Sequence, residues 1–246
     1  MTREPTTSTL ALAVWPTPAR RQHRYLAASS GQHPIAPELA ARAILAYSDA
    51  GDLVVDPRCG IGTVLVEAIQ QGRRAIGIEA DRATAALAIA NISHARQQGA
   101  PGRAAALEGN PEQLPRLLPH AGSILNTPGA ASRVLRHPAG SVQLLLTHAP
   151  NTLDEALLRA WLTVLTPGGF LLLVHDQQQA GRGRAGLGGI VAACEQTGLH
   201  YWQHVVATRS TPAAADALLH TDVLAFRKPQ PNEAHAASAE KRELAA

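Results

Sequence analysis

The sequence is organised around the stretch Leu53-Val-Val-Asp-Pro-Arg-Cys-Gly-Ile-Gly-Thr63. Its first three residues form an apolar run that predicts a short buried strand. A glycine turn follows, and a helix is expected to begin near Ile61 or Thr63. Gly60 and Gly62 allow the backbone to turn tightly and to approach a ligand closely, because they carry no Cβ atom. The N-terminus of the helix and its free N–H groups point into the same space.

A second apolar run, Arg74-Ala-Ile-Gly-Ile-Glu79, predicts the next strand. Glu79 lies 17 residues after Gly62, where a βαβ unit places the carboxylate that binds ribose hydroxyls. The two runs therefore predict a nucleoside-cofactor site. Leu65 stands where a dinucleotide fingerprint has its third glycine, and the Asp56 carboxylate would repel a pyrophosphate but suits a cationic amino acid. S-adenosylmethionine (SAM) is therefore favoured over NAD.

The segment Asp56-Pro-Arg-Cys-Gly-Ile-Gly-Thr63 resembles the Asp-Pro-Phe-Cys-Gly-Ser-Gly-Thr motif of one group of class I SAM-dependent methyltransferases. This group comprises the N4-cytosine/N6-adenine DNA methylases and the related tRNA guanine-N2 enzymes. The resemblance extends roughly over residues 33–228. It implies an α/β fold with a Rossmann-like, doubly wound sheet that is mostly parallel and ends in a C-terminal antiparallel hairpin.

The resemblance also implies which residues bind SAM. The segment that begins at Gln32-His-Pro resembles the family segment that closes over the methionine end of the cofactor, and Asn110 stands where an acidic residue commonly binds the adenine amino group. Asn110 is equally suited to cap a helix before Pro111, and the two roles are compatible. The predicted cofactor residues are His33, Asp56, Pro57, Cys59, Gly60, Gly62, Thr63, Glu79 and Asn110.

The methyl acceptor is expected after the fourth predicted strand, Val142–Leu146, where the family has Asp/Asn/Ser-Pro-Pro-Tyr/Phe. This chain has Thr147-His-Ala-Pro-Asn151 there. The resemblance implies that His148 takes the polar position, that Pro150 matches the second proline, and that Asn151 replaces the aromatic ring. A neutral imidazole nitrogen accepts a hydrogen bond from an amine, whereas loss of the ring removes roughly 1–3 kcal/mol of stacking per base.

A second interpretation of the same segment stands beside this one. His148 and Asn151 would then be only a strand end and a helix cap, and the chain would have the methyltransferase fold with weak or no methylase activity. About 95 residues follow Asn151, and most are needed to finish the sheet. This leaves little length for a separate target-recognition domain.

Composition narrows the possible partners of the 246-residue chain. Hydrophobic residues make up 46%, but no apolar run approaches the ~18 residues of a membrane span. Without a recognisable targeting signal we expect a cytoplasmic protein. The two cysteines and eleven histidines lack metal-ligand spacing, so no metal is predicted. A net charge of +3 favours a nucleic-acid partner only slightly, and 3% aromatic residues argue against extensive single-strand binding.

The predicted organisation is a flexible basic arm over residues 1–25, a methyltransferase domain over 26–229 and a polar tail over 230–246. The predicted function is transfer of a methyl group from SAM to an exocyclic amine of a nucleobase, in DNA first and in RNA second. Three alternatives stay open: a weak or inactive relative that binds SAM or nucleic acid, a tRNA methyltransferase, and a small-molecule methyltransferase. The oligomeric state does not follow from the sequence.

Overall fold

The computed structural model describes residues 12–17, 34–125, 140–175, 186–209 and 219–232. Strands and helices alternate through most of this part of the chain. The strands are β1 (Leu12–Pro16), β2 (Leu53–Asp56), β3 (Arg74–Glu79), β4 (Arg103–Glu108), β5 (Val142–His148), β6 (Leu165–His175), β7 (His200–Arg209) and β8 (Leu219–Arg227). The helices are α1 (Pro37–Tyr47), α2 (Thr63–Gln70), α3 (Arg82–Gln97), α4 (Leu114–Leu125), α5 (Glu155–Val164) and α6 (Leu187–Gln196). A 3-10 turn, Pro111–Gln113, precedes α4.

The eight strands form one sheet in the order β1-β7-β8-β6-β5-β2-β3-β4. The β2–β3, β3–β4, β2–β5, β5–β6 and β1–β7 pairs are parallel, while β8 runs antiparallel to both β6 and β7. The order reverses between β2 and β5, which is the switch point where open α/β sheets bind ligands. The predicted fold, a mostly parallel doubly wound sheet with a C-terminal antiparallel hairpin, is confirmed.

Helices cover both faces of the sheet, so its central strands are apolar on both sides. One core packs α1, α2 and α3 against alternate residues of the strands, such as Val54 and Leu146. The other core packs α4, α5 and α6 against the residues between them, such as Val55 and Leu145. No helix in the described ranges is both long and apolar enough to cross a membrane.

We expected an arm without structure of its own over residues 1–25, but Leu12–Pro16 in this segment form the strand β1. It pairs in parallel with β7 from Leu12 opposite His204 to Pro16 opposite Thr208. Trp15 is buried and contacts the ring of Tyr47, with 6.4 Å between the ring centroids. The local sequence did not predict this strand, because it pairs with residues nearly 200 positions away.

The carboxyl ends of the parallel strands line one edge of the sheet. Asp56 ends β2, Glu79 ends β3, His148 ends β5 and His175 ends β6. Since ligands bind outside this edge in open α/β sheets, the fold assembles most of the predicted site residues at one place.

Candidate cofactor and acceptor site

Asp56 is the buried acid of the site. Its side chain is 3% exposed, and its Oδ1 accepts a hydrogen bond from the Arg58 N–H at 3.0 Å. Burial raises the pKa of this carboxyl from its ordinary value of 3.8 to about 7. The Arg58 N–H and the positive charge of Arg58 oppose that rise, whereas the negative charge of Glu79 adds to it. A cation beside Asp56 would offset the cost of burying its charge.

The turn after β2 has the conformation that its glycines predict. Gly60 and Gly62 have φ angles of 52° and 84°, in the left-handed region where a side chain is strained. A Cβ at Gly62 would also lie 3.2 Å from the Cβ of Ala88 on α3. Thr63 then opens α2, and its buried Oγ1 has no hydrogen-bond partner among the described residues.

Glu79 joins the end of β3 to the glycine turn. Its Oε2 accepts a hydrogen bond from the Gly60 N–H and its Oε1 from the Asp81 N–H, both at 3.0 Å. An ionised carboxylate has about four lone-pair sites, so these two bonds leave capacity for hydroxyl donors. Glu79 is only half-buried and therefore retains access to solvent.

Cys59 contributes packing and a backbone bond to the turn. Its N–H donates to the Ile78 carbonyl at 2.8 Å, and its thiol lies over Gly77, where a Cβ would be 2.6 Å from the sulfur. Burial raises the pKa of the thiol well above its ordinary value. The buried Pro57 precedes Arg58 in the same turn, and Arg58 itself is exposed.

Two residues that support the turn were missed by the sequence analysis. Asn91 is fully buried on α3, and its side-chain amide donates to the Ile61 carbonyl at 2.9 Å. Gly77 makes room for Cys59 and Leu65. The sequence carries only a weak signal for either: a single Asn in an Ala-rich helix, and a glycine inside an apolar strand.

Asn110 follows the end of β4 and caps the 3-10 turn. Its N–H donates to the side-chain Oε1 of Gln113 at 2.9 Å. β4 lies beside β3 with Glu108 opposite Glu79, so Asn110 lies at the edge that carries the glycine turn. His33 lies outside the described residues.

The predicted acceptor residues lie one strand away from Asp56. His148 ends β5 opposite Val174, while Ala149 is buried and donates its N–H to the Val174 carbonyl at 2.8 Å. Pro150 is half-buried and Asn151 is exposed. The helix α5 begins later than a cap at Asn151 would place it, because its cap is Asp154, whose Oδ1 accepts from the Leu157 N–H at 2.7 Å.

These residues fit a SAM molecule on structural grounds. The site offers a buried carboxylate for the ammonium group and a glycine turn at a helix N-terminus. It also offers the Thr63 hydroxyl, which has no partner among the described residues, and the half-buried carboxylate of Glu79. In the parts of the chain that the structure describes, no group of three or more His, Cys, Asp or Glu residues could hold a metal ion.

Comparison with protein families supports the resemblance seen in Asp56–Thr63. Residues 4–90 match the model of the N6/N4 DNA methylase family, described as "DNA methylase". The match covers about a third of the chain and includes the glycine turn and Glu79. No curated protein sequence matches the chain.

Solved structures with the same fold share little sequence with this chain. A TehB-like SAM-dependent methyltransferase from Corynebacterium glutamicum is 17% identical over 77% of this chain and 86% of its own, with a TM-score of 0.50. TrmN from Thermus thermophilus is 18% identical over 79% of this chain and 49% of its own, with a TM-score of 0.50. Magnesium protoporphyrin IX methyltransferase from Synechocystis PCC 6803, which has SAM bound, is 13% identical over 78% and 77%, with a TM-score of 0.54.

Proposed function

We propose that the chain transfers a methyl group from SAM to an exocyclic amine of a nucleobase, in DNA first and in RNA second. The chain has the class I SAM-dependent methyltransferase fold and a DNA-methylase match over its first third. The buried Asp56 in the Asp-Pro-x-Cys-Gly-x-Gly-Thr turn carries this proposal. A pyrophosphate cofactor would be repelled by that carboxylate, whereas a cationic amino acid would be held by it.

Each cofactor residue has a separate task in this proposal. Asp56 holds the ammonium of the methionine end, Glu79 accepts from the ribose hydroxyls, and Asn110 accepts from the adenine amino group. The N–H groups at the start of α2 stabilise the negatively charged carboxylate of the methionine end. Bound there, SAM supplies a methyl group activated by a sulfonium.

His148 is the residue that we expect to hold the acceptor amine. Strand alternation supports this role, because Val54 and Leu146 belong to the same core, and Asp56 and His148 follow them by two residues on the same face. A neutral imidazole accepts a hydrogen bond from the amine and leaves the nitrogen lone pair aimed at the methyl group. The Pro150 carbonyl is the second expected acceptor.

The choice of DNA over RNA rests on the family match, since the matched model is that of DNA methylases. The fold alone does not decide the acceptor, because structures with this fold include TrmN, a TehB-like methyltransferase and a magnesium protoporphyrin IX methyltransferase. Asn151 in place of the aromatic residue favours a second candidate, a small-molecule acceptor that needs no ring for base stacking.

Transfer of labelled methyl from SAM to unmethylated DNA tests the proposal, with bulk tRNA in a parallel reaction. We expect label in DNA and expect His148→Ala to lower the rate by about 10²-fold, the range for a group that acts on the proton of a reacting atom. His94→Ala, a change in the last turn of α3, is the control and should leave the rate unchanged.

Label in tRNA alone would move the substrate to RNA. Absence of label in both nucleic acids, from protein shown to bind SAM, would contradict the proposal and favour the small-molecule or inactive alternative.

A further inference from the structure

Four of the eight aromatic residues of the chain form a row on one face of the sheet. The rings belong to Trp15, Tyr47, Phe170 and Trp202. Along the row, adjacent ring centroids are 6.4, 4.9 and 5.9 Å apart. Phe170 packs against the core of α1, α2 and α3, so the row lies on the face that carries Asp56 and His148.

Trp202 is the exposed end of this row. The strand β7 bulges at this residue, where its register against β8 shifts, and a bulge changes the direction of the side chain that it carries. Trp202 is 48% exposed, whereas Trp15 and Trp161 are buried. The Tyr47 hydroxyl donates to the Oε1 of Gln203, the next residue of β7, at 2.9 Å. The fold therefore holds one tryptophan ring at the surface, beside a buried aromatic base.

A guanidinium group lies against the exposed ring. The Cζ of Arg227 is 4.9 Å from the centroid of the Trp202 ring, within the range of a cation–π interaction. Lys228 follows Arg227 in the chain and adds a second positive charge at the end of β8. We call the group formed by Trp202, Phe170 and Arg227 the Trp202 surface.

Acidic residues are scarce around the Trp202 surface. Asp222 is the single acidic residue within the described strands β6, β7 and β8, and its Oδ1 lies 2.8 Å from the Nε2 of His204. Glu195 on α6 acts on Tyr201, which packs against the core of the opposite face. The surface is therefore positively charged and complements an anionic partner.

The exposed ring and the arginine match the two parts of a nucleic-acid strand. A nucleobase of any sequence stacks on an aromatic ring, and a planar guanidinium binds a phosphate in bidentate geometry. Phe170 lies five residues before His175, the last residue of β6, which is roughly 16 Å along the strand. This is the length of about five stacked nucleotides. A strand with one base at the acceptor edge therefore reaches Trp202.

We propose that the Trp202 surface binds the nucleic-acid acceptor outside the methylation site, with an unpaired base stacked on Trp202 and the adjoining phosphate paired with Arg227. This inference rests on the proposed methylation of a nucleobase. It supplies a stacking contact that the acceptor segment lacks, because Asn151 stands there in place of a ring. A single contact of this kind agrees with the small number of aromatic residues in the chain.

Fluorescence anisotropy of a labelled single-stranded DNA, longer than this span and titrated without SAM, tests the inference. We expect Trp202→Ala to weaken binding about 10-fold, the effect of one stacked base, and Trp202→Phe to keep most of the affinity. Arg227→Gln should weaken binding and reduce the slope of log affinity against log salt by about one.

Tryptophan fluorescence gives a second measurement on the same mixture. Trp202 is the exposed tryptophan, so the DNA should quench the emission of the wild-type protein but not that of Trp202→Ala. Ile89→Ala, an exposed apolar side chain on α3, and Arg159→Gln, an exposed arginine on α5, are the matched controls. Both should bind the DNA like the wild type.

Wild-type affinity in Trp202→Ala, or absence of DNA binding by the wild-type protein, would overturn the inference. So would a loss in Trp202→Phe as large as in Trp202→Ala, because a stacked base tolerates the exchange of one ring for another. Binding of polyglutamate as tight as that of DNA, and lost in Arg227→Gln, would overturn it in favour of an acidic protein partner.

Failure of the proposed function gives a different result. The wild-type protein would then bind the DNA through Trp202 and Arg227 but would transfer no methyl group from SAM to it. Methyl transfer to DNA with unchanged DNA binding in Trp202→Ala would instead leave the proposed function in place and remove the Trp202 surface from it.

Discussion

At the residue scale, the least ordinary group is the Asp56 carboxyl. Its burial beside the turn raises its pKa to about 7, so the acid is partly protonated at neutral pH when no cation lies against it. The pH therefore determines what fraction of the Asp56 carboxyl is ionised, and with it the charge of the site. The sequence predicted that Asp56 ends a strand, but its burial depends on the pairing of β2 with β3 and β5, which only the folded chain brings together.

The raised pKa predicts how SAM binding and stability change with pH. The folded value of about 7 lies above the ordinary value of 3.8, so the folded protein without cofactor binds the extra proton between these values. The stability from this group is therefore full at low pH and is lost as the pH rises to 7. An ammonium ligand needs the ionised form, so we expect SAM affinity to rise on the order of tenfold from pH 5.5 to 7.5.

Thermal shifts at a fixed SAM concentration measure this effect, because a tighter ligand raises the melting temperature more. The shift should be larger at pH 7.5 than at pH 5.5. In Asp56→Asn, which cannot ionise, it should be small and nearly independent of pH. An equal shift in the wild-type protein at both pH values would show that Asp56 does not face the ammonium group.

At the scale of elements, the glycine turn is held by its neighbours on β3 and α3. Cys59 and Leu65 pack over Gly77, and Asn91 holds the Ile61 carbonyl. These contacts fix the turn between two strands and two helices, so its shape does not depend on the glycines alone. The glycines of the turn were recognisable in the sequence. Gly77 and Asn91, which support the turn, lie 14 or more positions after it in the chain.

A methyl group added at Gly77 should therefore disturb the turn. Its Cβ would lie 2.6 Å from the Cys59 sulfur and 2.6 Å from the Leu65 Cδ1. We expect Gly77→Ala to lower the free energy of unfolding by about 1–3 kcal/mol, the cost of overpacking a core, and to weaken SAM binding. Urea denaturation and calorimetry measure the two effects.

Gly188→Ala is the matched control for this substitution. Gly188 lies in α6, and a Cβ there would meet nothing within 4 Å. Since alanine is the better helix former by roughly 0.5–1 kcal/mol, this variant should be as stable as the wild type or more stable. A Gly77→Ala protein with wild-type stability and SAM affinity would mean that the packing of Cys59 against β3 is not needed.

At the scale of the molecule, the sequence predicted the fold where local composition is decisive. The central strands are covered on both faces, so they appear as continuous apolar runs such as Val142–Leu146, and the glycine turn indicates the order strand, turn, helix. β1 was missed because it is a short edge strand whose Leu12 and Val14 are exposed, at 63% and 59%. Its pairing with β7 joins the two ends of the chain.

The candidate site was predictable to the extent that it lies in contiguous motifs. Asp56, Glu79 and His148 were all expected at strand ends, and the fold brings those ends to one edge. The contact between His204 on β7 and Asp222 on β8 was not predicted, because the two residues come from different strands and no motif joins them. Residues that act through tertiary contacts leave no periodic or spaced pattern in a single sequence.

Calorimetric titration of the purified protein with SAM tests the central claim, that the edge formed by Asp56, the glycine turn and Glu79 is a SAM site. We expect one site in the wild-type protein and, in Asp56→Asn, a loss of affinity of about 10- to 100-fold, because a charge-assisted bond contributes roughly 1.5–3 kcal/mol. Asp52→Asn, at the opposite end of β2, should bind SAM like the wild type. Absence of SAM binding by the wild-type protein, or equal affinity in Asp56→Asn, would contradict the account.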